Sequence, residues 1–397
     1  MPFVNTLRSS TSVSFGKRRS AAEALLGNLL AWGVGTRFGI FDTGNLGDGF
    51  SQDRSSPVHV GALRTWLTPT AGYYTTMCTK SDGSLWAWGR NNVGQLGLND
   101  TVTRSSPVQV GALTTWLTPQ VGYGHAMCVK TDGTLWLWGR NNYGQLGFND
   151  DVNRSSPVQL GNVTTWSQPA SSGTHTFCTR TDGTLWSWGF NDSGGLGLGD
   201  TIRRSSPTQV GNLQTWAKLA SNRYGGMAIK TDGTLHFWGV QMSGGMGAAI
   251  GTISSPVQIG NSTDWASLAV AQNNGFCVKT NGALFVLGGV NHYGQCGLNA
   301  TTPDYRSSPV QIGALTTWLT PSTQSYSSTQ NGTTICTRID GTLWAWGRQA
   351  QSVFQDGNRG QLGQNDGINR SSPVQIGTKT NWVKPVSGRR YHLCTTT

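Results

Sequence analysis

Glutamate is almost missing from this chain. Glu23 is the only one among 397 residues, and charged residues of every kind make up 12%. Serine, threonine, asparagine, glutamine and glycine take their place, a composition closer to secreted or virion β-proteins than to cytosolic enzymes. No apolar run is long enough to span a bilayer, so no membrane insertion is expected. Ala21 to Leu30 is too short and wrongly flanked for a signal peptide. Neither a Cys-x-x-Cys nor a His-rich pair occurs, which leaves no metal site in view. Seven cysteines is an odd number, and a complete disulfide framework is therefore not expected.

What the chain does have is repetition. Between Trp116 and Leu160 run Cys128, then Thr131-Asp132-Gly133-Thr134-Leu135-Trp136-Leu137-Trp138-Gly139, then Gly144-Gln145-Leu146-Gly147, then Arg154-Ser155-Ser156-Pro157-Val158-Gln159. Trp-Gly falls fifty residues apart at Trp88, Trp138, Trp188 and Trp238, with Leu287, Trp346 and Trp32 in the same slot of other copies. A fixed period of this size signals a solenoid, a propeller or an array. Within one copy Leu135 and Leu137 alternate with Trp136 and Trp138 across a strand, and Asp132-Gly133 between two β-rich runs makes a tight hairpin turn. Four strands per copy are predicted: around Pro157 to Leu160, just after Trp166, around Cys178, and Leu185 to Trp188. Four short antiparallel strands repeated about an axis make propeller blades.

The ends of the chain point to a closed ring. The C-terminus stops at a Cys-type strand, Tyr391 to Cys394, and lacks the Trp-Gly strand that should follow; Gly27 to Gly33 supplies it. The expected architecture is all-β, a seven-bladed propeller of four-stranded antiparallel blades, closed by pairing the N-terminal strand with the C-terminal strands. Residues 1–26 form an N-terminal arm and 27–397 the propeller, with the closing blade drawn from about 27–33 plus 371–397. Six of the cysteines (Cys78, Cys128, Cys178, Cys277, Cys336, Cys394) share one blade position, too far apart between blades for a disulfide, and read as small core residues.

Gly-Gln-Leu-Gly after a Trp-Gly strand, Ser-Ser-Pro-Val-Gln and Asp-Gly-Thr-Leu-Trp at this period resemble the regulator of chromosome condensation repeat family over about residues 27 to 397. The resemblance implies a seven-bladed propeller. It leaves function open, since such propellers serve as nucleotide-exchange factors, chromatin binders, light sensors and enzyme inhibitors. The light sensor of that family carries Gly-Trp-Arg-His-Thr, whereas the matching places here read Gly122-Tyr123-Gly124-His125-Ala126 and Ser172-Gly173-Thr174-His175-Thr176. The seventeen tryptophans, all on repeat positions, therefore read as core.

No catalytic constellation stands out from the repeat, and the chain is expected not to be an enzyme. His125, His175 and His392 lack an orienting acid in the pattern. Segments such as Gly194-Gly195-Leu196-Gly197 do not lead into a helix, so neither a phosphate cradle nor a cofactor is expected. The Asp-Gly pairs and Asp100, Asp150, Asp200 and Asp366 read as turn formers. The net charge of +11 is carried largely by the repeat itself at Arg54, Arg104, Arg154, Arg204, Arg306 and Arg370. Arginines recurring once per blade are expected to bond to neighbouring loop carbonyls, and nucleic acid is not an expected partner.

Departures from the repeat mark the candidate contacts. Relative to Trp88–Leu96, the stretch Trp32–Leu46 is six residues longer and Trp346–Leu362 eight longer; Trp318–Cys336 exceeds Trp116–Cys128 by six. All three insertions are predicted on one face, with Phe38, Ile40, Phe41, Tyr326, Arg348, Val353, Phe354 and Arg359 as partner-binding residues, because aromatics and arginine dominate interface energetics. The arm offers Phe3, Val4, Leu7, Arg8, Lys17, Arg18 and Arg19. Ordering some twenty residues costs about 1 to 2 kcal/mol each, more than its few apolar side chains return, so it is expected to dock on a partner, either virion proteins or copies of the same chain. The reading favoured by these features is a structural or adhesive module of a bacteriophage virion, such as a head decoration or tail-associated protein, with a receptor or other protein on the insertion face. The alternatives are a nucleotide-exchange and chromatin-binding regulator, or a secreted enzyme inhibitor. Deletion of residues 2–20 should detach the protein from its assembly, read by co-sedimentation, while circular dichroism shows the propeller still folded.

Overall fold

The computed structural model describes residues 27–35, 43–62, 65–171, 173–241, 251–289, 291–301, 306–323, 332–349 and 360–397. Phe3, Val4, Leu7, Arg8, Lys17, Arg18, Arg19, Phe38, Ile40, Phe41, Tyr326, Val353, Phe354 and Arg359 lie outside the described residues. The described residues contain strands and no helix, hence no helix long and apolar enough to cross a membrane.

Twenty-eight strands form seven separate four-stranded sheets, each antiparallel throughout. In blade 1 the order from the channel outward is β3 (Trp66–Ala71), β4 (Thr75–Lys80), β5 (Leu85–Gly89) and β6 (Arg104–Gln109). Blades 2 to 6 repeat this over residues 116–159, 166–209, 216–258, 265–311 and 318–375. Blade 7 closes the ring from both ends of the chain: β27 (Trp382–Gly388) inside, then β28 (Tyr391–Thr396), β1 (Asn28–Gly33) and β2 (Arg54–His59).

The ring closes as the sequence predicts, with Asn28 opposite Thr396 and Gly33 opposite Tyr391. The phase of the strands differs by one. The Arg-Ser-Ser-Pro-Val-Gln strand is the outermost strand of the blade it follows in sequence, not the first strand of the next. The N-terminus accordingly gives blade 7 two strands rather than one, and β26 (Arg370–Gln375) belongs to blade 6. The physical reason is exposure. This strand is half-exposed along its length while the Cys strand is buried at every position, as β4 and β6 show. It also carries a proline. Proline has no N–H to donate and is tolerated at a sheet edge, where it blocks further pairing.

The core lies between blades, and the repeat motifs show why. Trp138 of blade 2 donates its indole N–H to the backbone carbonyl of Gln95 in blade 1 at 3.0 Å. The same bond joins Trp88 to Asn45, Trp188 to Gln145, Trp346 to Gln295 and Trp32 to Gln361. In Gly-Gln-Leu-Gly, then, the glutamine supplies the carbonyl, Leu96 is buried, and Gly97 lets the indole lie against the backbone. A Cβ on Gly97 would stand 2.8 Å from Trp138 Nε1. A second clip runs from Asn99 N–H to the Ser155 carbonyl of the next blade's outer strand, 2.9 Å.

Charge within the repeat is consumed locally, by loop carbonyls as expected and by aspartates as well. Asp100 caps the Val102 N–H and pairs with Arg104 at 2.6 Å, and Arg104 also donates to the Val102 carbonyl. Equivalent pairs form at Arg54–Asp48, Arg154–Asp150 and Arg204–Asp200, and Arg370 meets Asp366 in the same way. In the Asp-Gly turns, Trp136 Nε1 donates to Thr134 Oγ1 and Thr134 donates to Asp132. All seven cysteines are buried and unbridged, and burial pushes the Cys78 thiol up to about 12.

Gly97→Ala should cost about 1 to 3 kcal/mol in urea unfolding, by forcing the indole off its carbonyl from a left-handed backbone. Gly111 has a similar φ of +60° but nothing within 4 Å of its Cβ position. Gly111→Ala should then show only the backbone term, about 1 kcal/mol.

A candidate binding face

The loop from the inner strand to the Cys strand and the loop from the Trp-Gly strand to the outer strand open on the same face, because Gly89 lies opposite both Thr75 and Arg104. The strand ends that bracket the three insertions, Gly33 with Arg54, Thr323 with Thr333, and Gly347 with Arg370, all lie on that face. They belong to blades 6 and 7, neighbours at the closure. Gly27, from which residues 1–26 depart, lies at the other face, where its carbonyl accepts the Trp66 N–H.

Of the predicted insertion residues, Arg348 is the one placed. Its guanidinium covers the ring of Tyr293, 4.3 Å from the centroid. Burial pulls it below its ordinary pKa; Tyr293 opposes that shift and Arg390 adds to it. Arg390 sits beside Arg389 in the tight hairpin of blade 7. Arg389 covers Tyr73 of blade 1 at 4.2 Å, Tyr73 packs on Tyr123 of blade 2 at 4.3 Å, and Arg140 lies over Tyr123 at 5.7 Å. Arg90 lies beside Tyr73, Tyr123 and Arg140 around one small cavity. An arc of arginine and tyrosine thus recurs along this face on blades 5, 6, 7, 1 and 2, with ring contacts running from Arg389 to Arg140.

The arc carries backbone strain. Tyr74 holds φ at 128° and Arg390 at 65°, at the loop position where blade 2 has Gly124 at 100°. Positive φ costs a side-chain-bearing residue of order 1 kcal/mol or more, and such strain concentrates at functional sites. Tyr73, Tyr123, Arg90, Arg140, Arg389 and Arg390 are not among the contact residues expected from the sequence. A signal was present: these positions change from blade to blade while the motifs around them hold still.

The seven inner strands line a channel, with a cavity of about 240 Å³ toward this face among residues such as Ser171, Ser221, Thr323 and Ser387. His125 Nε2 is hydrogen-bonded to Ser171 Oγ at 2.8 Å and to Thr176 Oγ1 at 3.1 Å, and His392 Nδ1 to Ser387 Oγ at 2.8 Å. A serine beside a histidine invites a catalytic reading. Among the described residues, however, no carboxylate bonds to His125, whose other nitrogen is buried with no partner. Burial pushes His125 down to about 3, with His175 and Arg140 adding to the shift, so it is a poor base near neutral pH. Among the described residues no group of three His, Cys, Asp or Glu is placed to hold a metal.

Fold and face together define a closed seven-bladed propeller with one loop-bearing, arginine-rich mouth. The model of the regulator of chromosome condensation (RCC1) repeat matches residues 82–129, 132–179 and 182–229, so the chain carries RCC1 repeats. Each matched unit starts at an Asp-Gly turn and ends in the Cys strand of the next blade, straddling two blades. Human WBSCR16 superposes with a TM-score of 0.76 at 18% identity, covering 94% of this chain and 99% of that one. Prp20p from Saccharomyces cerevisiae gives 0.76 at 15%, covering 94% and 91%. Yeast RCC1 (Prp20) bound to Kap60 gives 0.75 at 14%, covering 100% and 96%. At these identities the likeness is one of fold. No curated protein matches the sequence.

His125, His175 and His392 titrate well below the ordinary histidine value, His175 at about 4 and His392 at about 3, through burial. In the unfolded chain they titrate near 6.5. Their contribution to stability is therefore complete above about pH 6.5 and is lost as pH falls toward 3 to 4. The slope is about 1.4 kcal/mol per pH unit for each histidine. Urea midpoints measured from pH 7 to pH 5, above the range of the carboxylates, should fall, and H125N/H392N should flatten the decline.

Proposed function

We propose that this protein is a non-catalytic, protein-binding propeller that engages its partner with the arc-bearing face. The observation that carries the proposal is the run of Arg348, Arg390, Arg389, Tyr73, Tyr123 and Arg140 across four consecutive blades, on the face from which all three enlarged loops depart. Arginine and tyrosine are the residues most enriched at interface hot spots. Packed against one another, they lose little side-chain entropy on binding. A rigid ring with variable loops at one mouth suits recognition better than catalysis, which needs reactive groups converging in a cleft.

Protein partners also fit the solved structures of similar fold. Prp20p was described with its binding properties to Gsp1p and histones, and yeast RCC1 was solved bound to Kap60. These comparisons favour a regulator that acts by binding proteins over the virion component expected from composition. Partner capture from native extract should fall at least tenfold for R389Q/Y123S. It should be unchanged for L113S/L117S, which alters exposed leucines on the opposite face. Equal loss from both variants, or none from the first, removes the arc from the interface.

A further inference from the structure

Between blades 1 and 2 the arc encloses a cavity of about 60 Å³, lined by Tyr73, Thr75, Arg90, Asn92, Val93, Gln95, Tyr123, Gly124 and Arg140. The volume holds a small cluster of waters or one compact polar group. Among the described residues its lining contains two guanidinium groups, those of Arg90 and Arg140, and no carboxylate. Arg140 Nε is buried with no hydrogen-bond partner among the described residues. A buried guanidinium N–H left unpaired is costly, and an anion is the partner that satisfies both its hydrogen bond and its charge.

The placement is specific to this cleft. Arg90 and Arg140 follow the Trp-Gly pair of their blades, where the other blades carry Phe190, Val240, Gly289, Arg348 and Val34. Around the ring, arginines therefore occupy this position on two adjacent blades only here. The phenol rings of Tyr73 and Tyr123 pack together at one wall. Gly124, whose φ of 100° favours glycine, lies beside the Arg140 side chain, with its Cβ position 3.7 Å from Arg140 Cβ.

We infer that this cavity is a socket for a single oxyanion group, a phosphoryl or a carboxylate, presented by the binding partner. The inference deepens the proposed function and rests on it for the source of the anion. Arg90 and Arg140 bind the group from two sides, and guanidinium forks match both planar carboxylate and tetrahedral phosphoryl oxygens. The inter-blade cleft thereby sets which part of a partner is read, while the rest of the arc supplies area.

The test is titration of the full chain by calorimetry and thermal shift with inorganic phosphate, with acetate, and with sodium chloride at matched ionic strength. Saturable binding of phosphate or acetate beyond the chloride response is expected. R140Q should weaken it at least tenfold and R140K, which keeps charge but loses the fork, severalfold; R104Q at the rim should leave it unchanged. Binding of phosphate alone assigns a phosphoryl source, and binding of acetate alone a carboxylate source. A chloride-like response to both anions, or full binding by folded R140Q, overturns the socket. Capture lost in R389Q/Y123S but retained in R140Q would remove the socket and leave the platform. Anion binding with capture unaffected by R389Q/Y123S would remove the platform and leave the socket.

Discussion

One indole hydrogen bond repeated around the ring organises the molecule. In five of the seven blades a buried tryptophan reaches across to a backbone carbonyl of the blade before it. The two exceptions are instructive. Gly195 of blade 3 stands where the glutamine does elsewhere, and the Trp238 indole N–H of blade 4 is left unpaired; in blade 5, Leu287 replaces the tryptophan and has nothing to donate. Both blades still pack through apolar clusters that cross the boundary, such as Met227, Phe237, Trp265 and Leu287. The hydrogen bond thus adds direction to an interface whose cohesion comes mostly from burial of apolar surface.

The fold was legible in the sequence because its period is strict and its punctuation is chemical. Asp-Gly marks turns through a side chain that caps backbone N–H groups, as Asp132 does for Thr134. Assigning the outer strand to the wrong blade has an equally physical origin. Sequence adjacency cannot tell whether Pro157 to Leu160 opens one blade or ends another when the connections on both sides are short. Exposure decides it, and exposure is a property of the assembled ring. The binding face was only partly legible. Insertions betray themselves by length, but the arc is made of single residues from separate blades, and their juxtaposition depends on the closure.

The distribution of charge follows from the same architecture. A net charge of +11 read along the chain looks diffuse. In space, the repeat arginines described at the rim are matched by aspartates four to six residues away. Arg140 and Arg390 have no acid within reach among the described residues, and each keeps a buried, unpaired Nε. Compensation at the rim leaves Arg140 and Arg390 as cations that can meet a partner at the mouth.

Finally, the seam that closes the ring is made of interior strands: β28 lies between β27 and β1, and β1 between β28 and β2. The first residue of β1 and the last of β28, Asn28 and Thr396, face each other in register. The polypeptide could therefore be cut and rejoined almost anywhere around its circumference. A short linker from Thr397 to Gly27, with new ends opened at an exposed bend such as Gly111 to Leu113, would yield a circular permutant with every sheet preserved. Evolution has the same freedom, and the place where such a chain starts is a historical choice that the finished ring does not record.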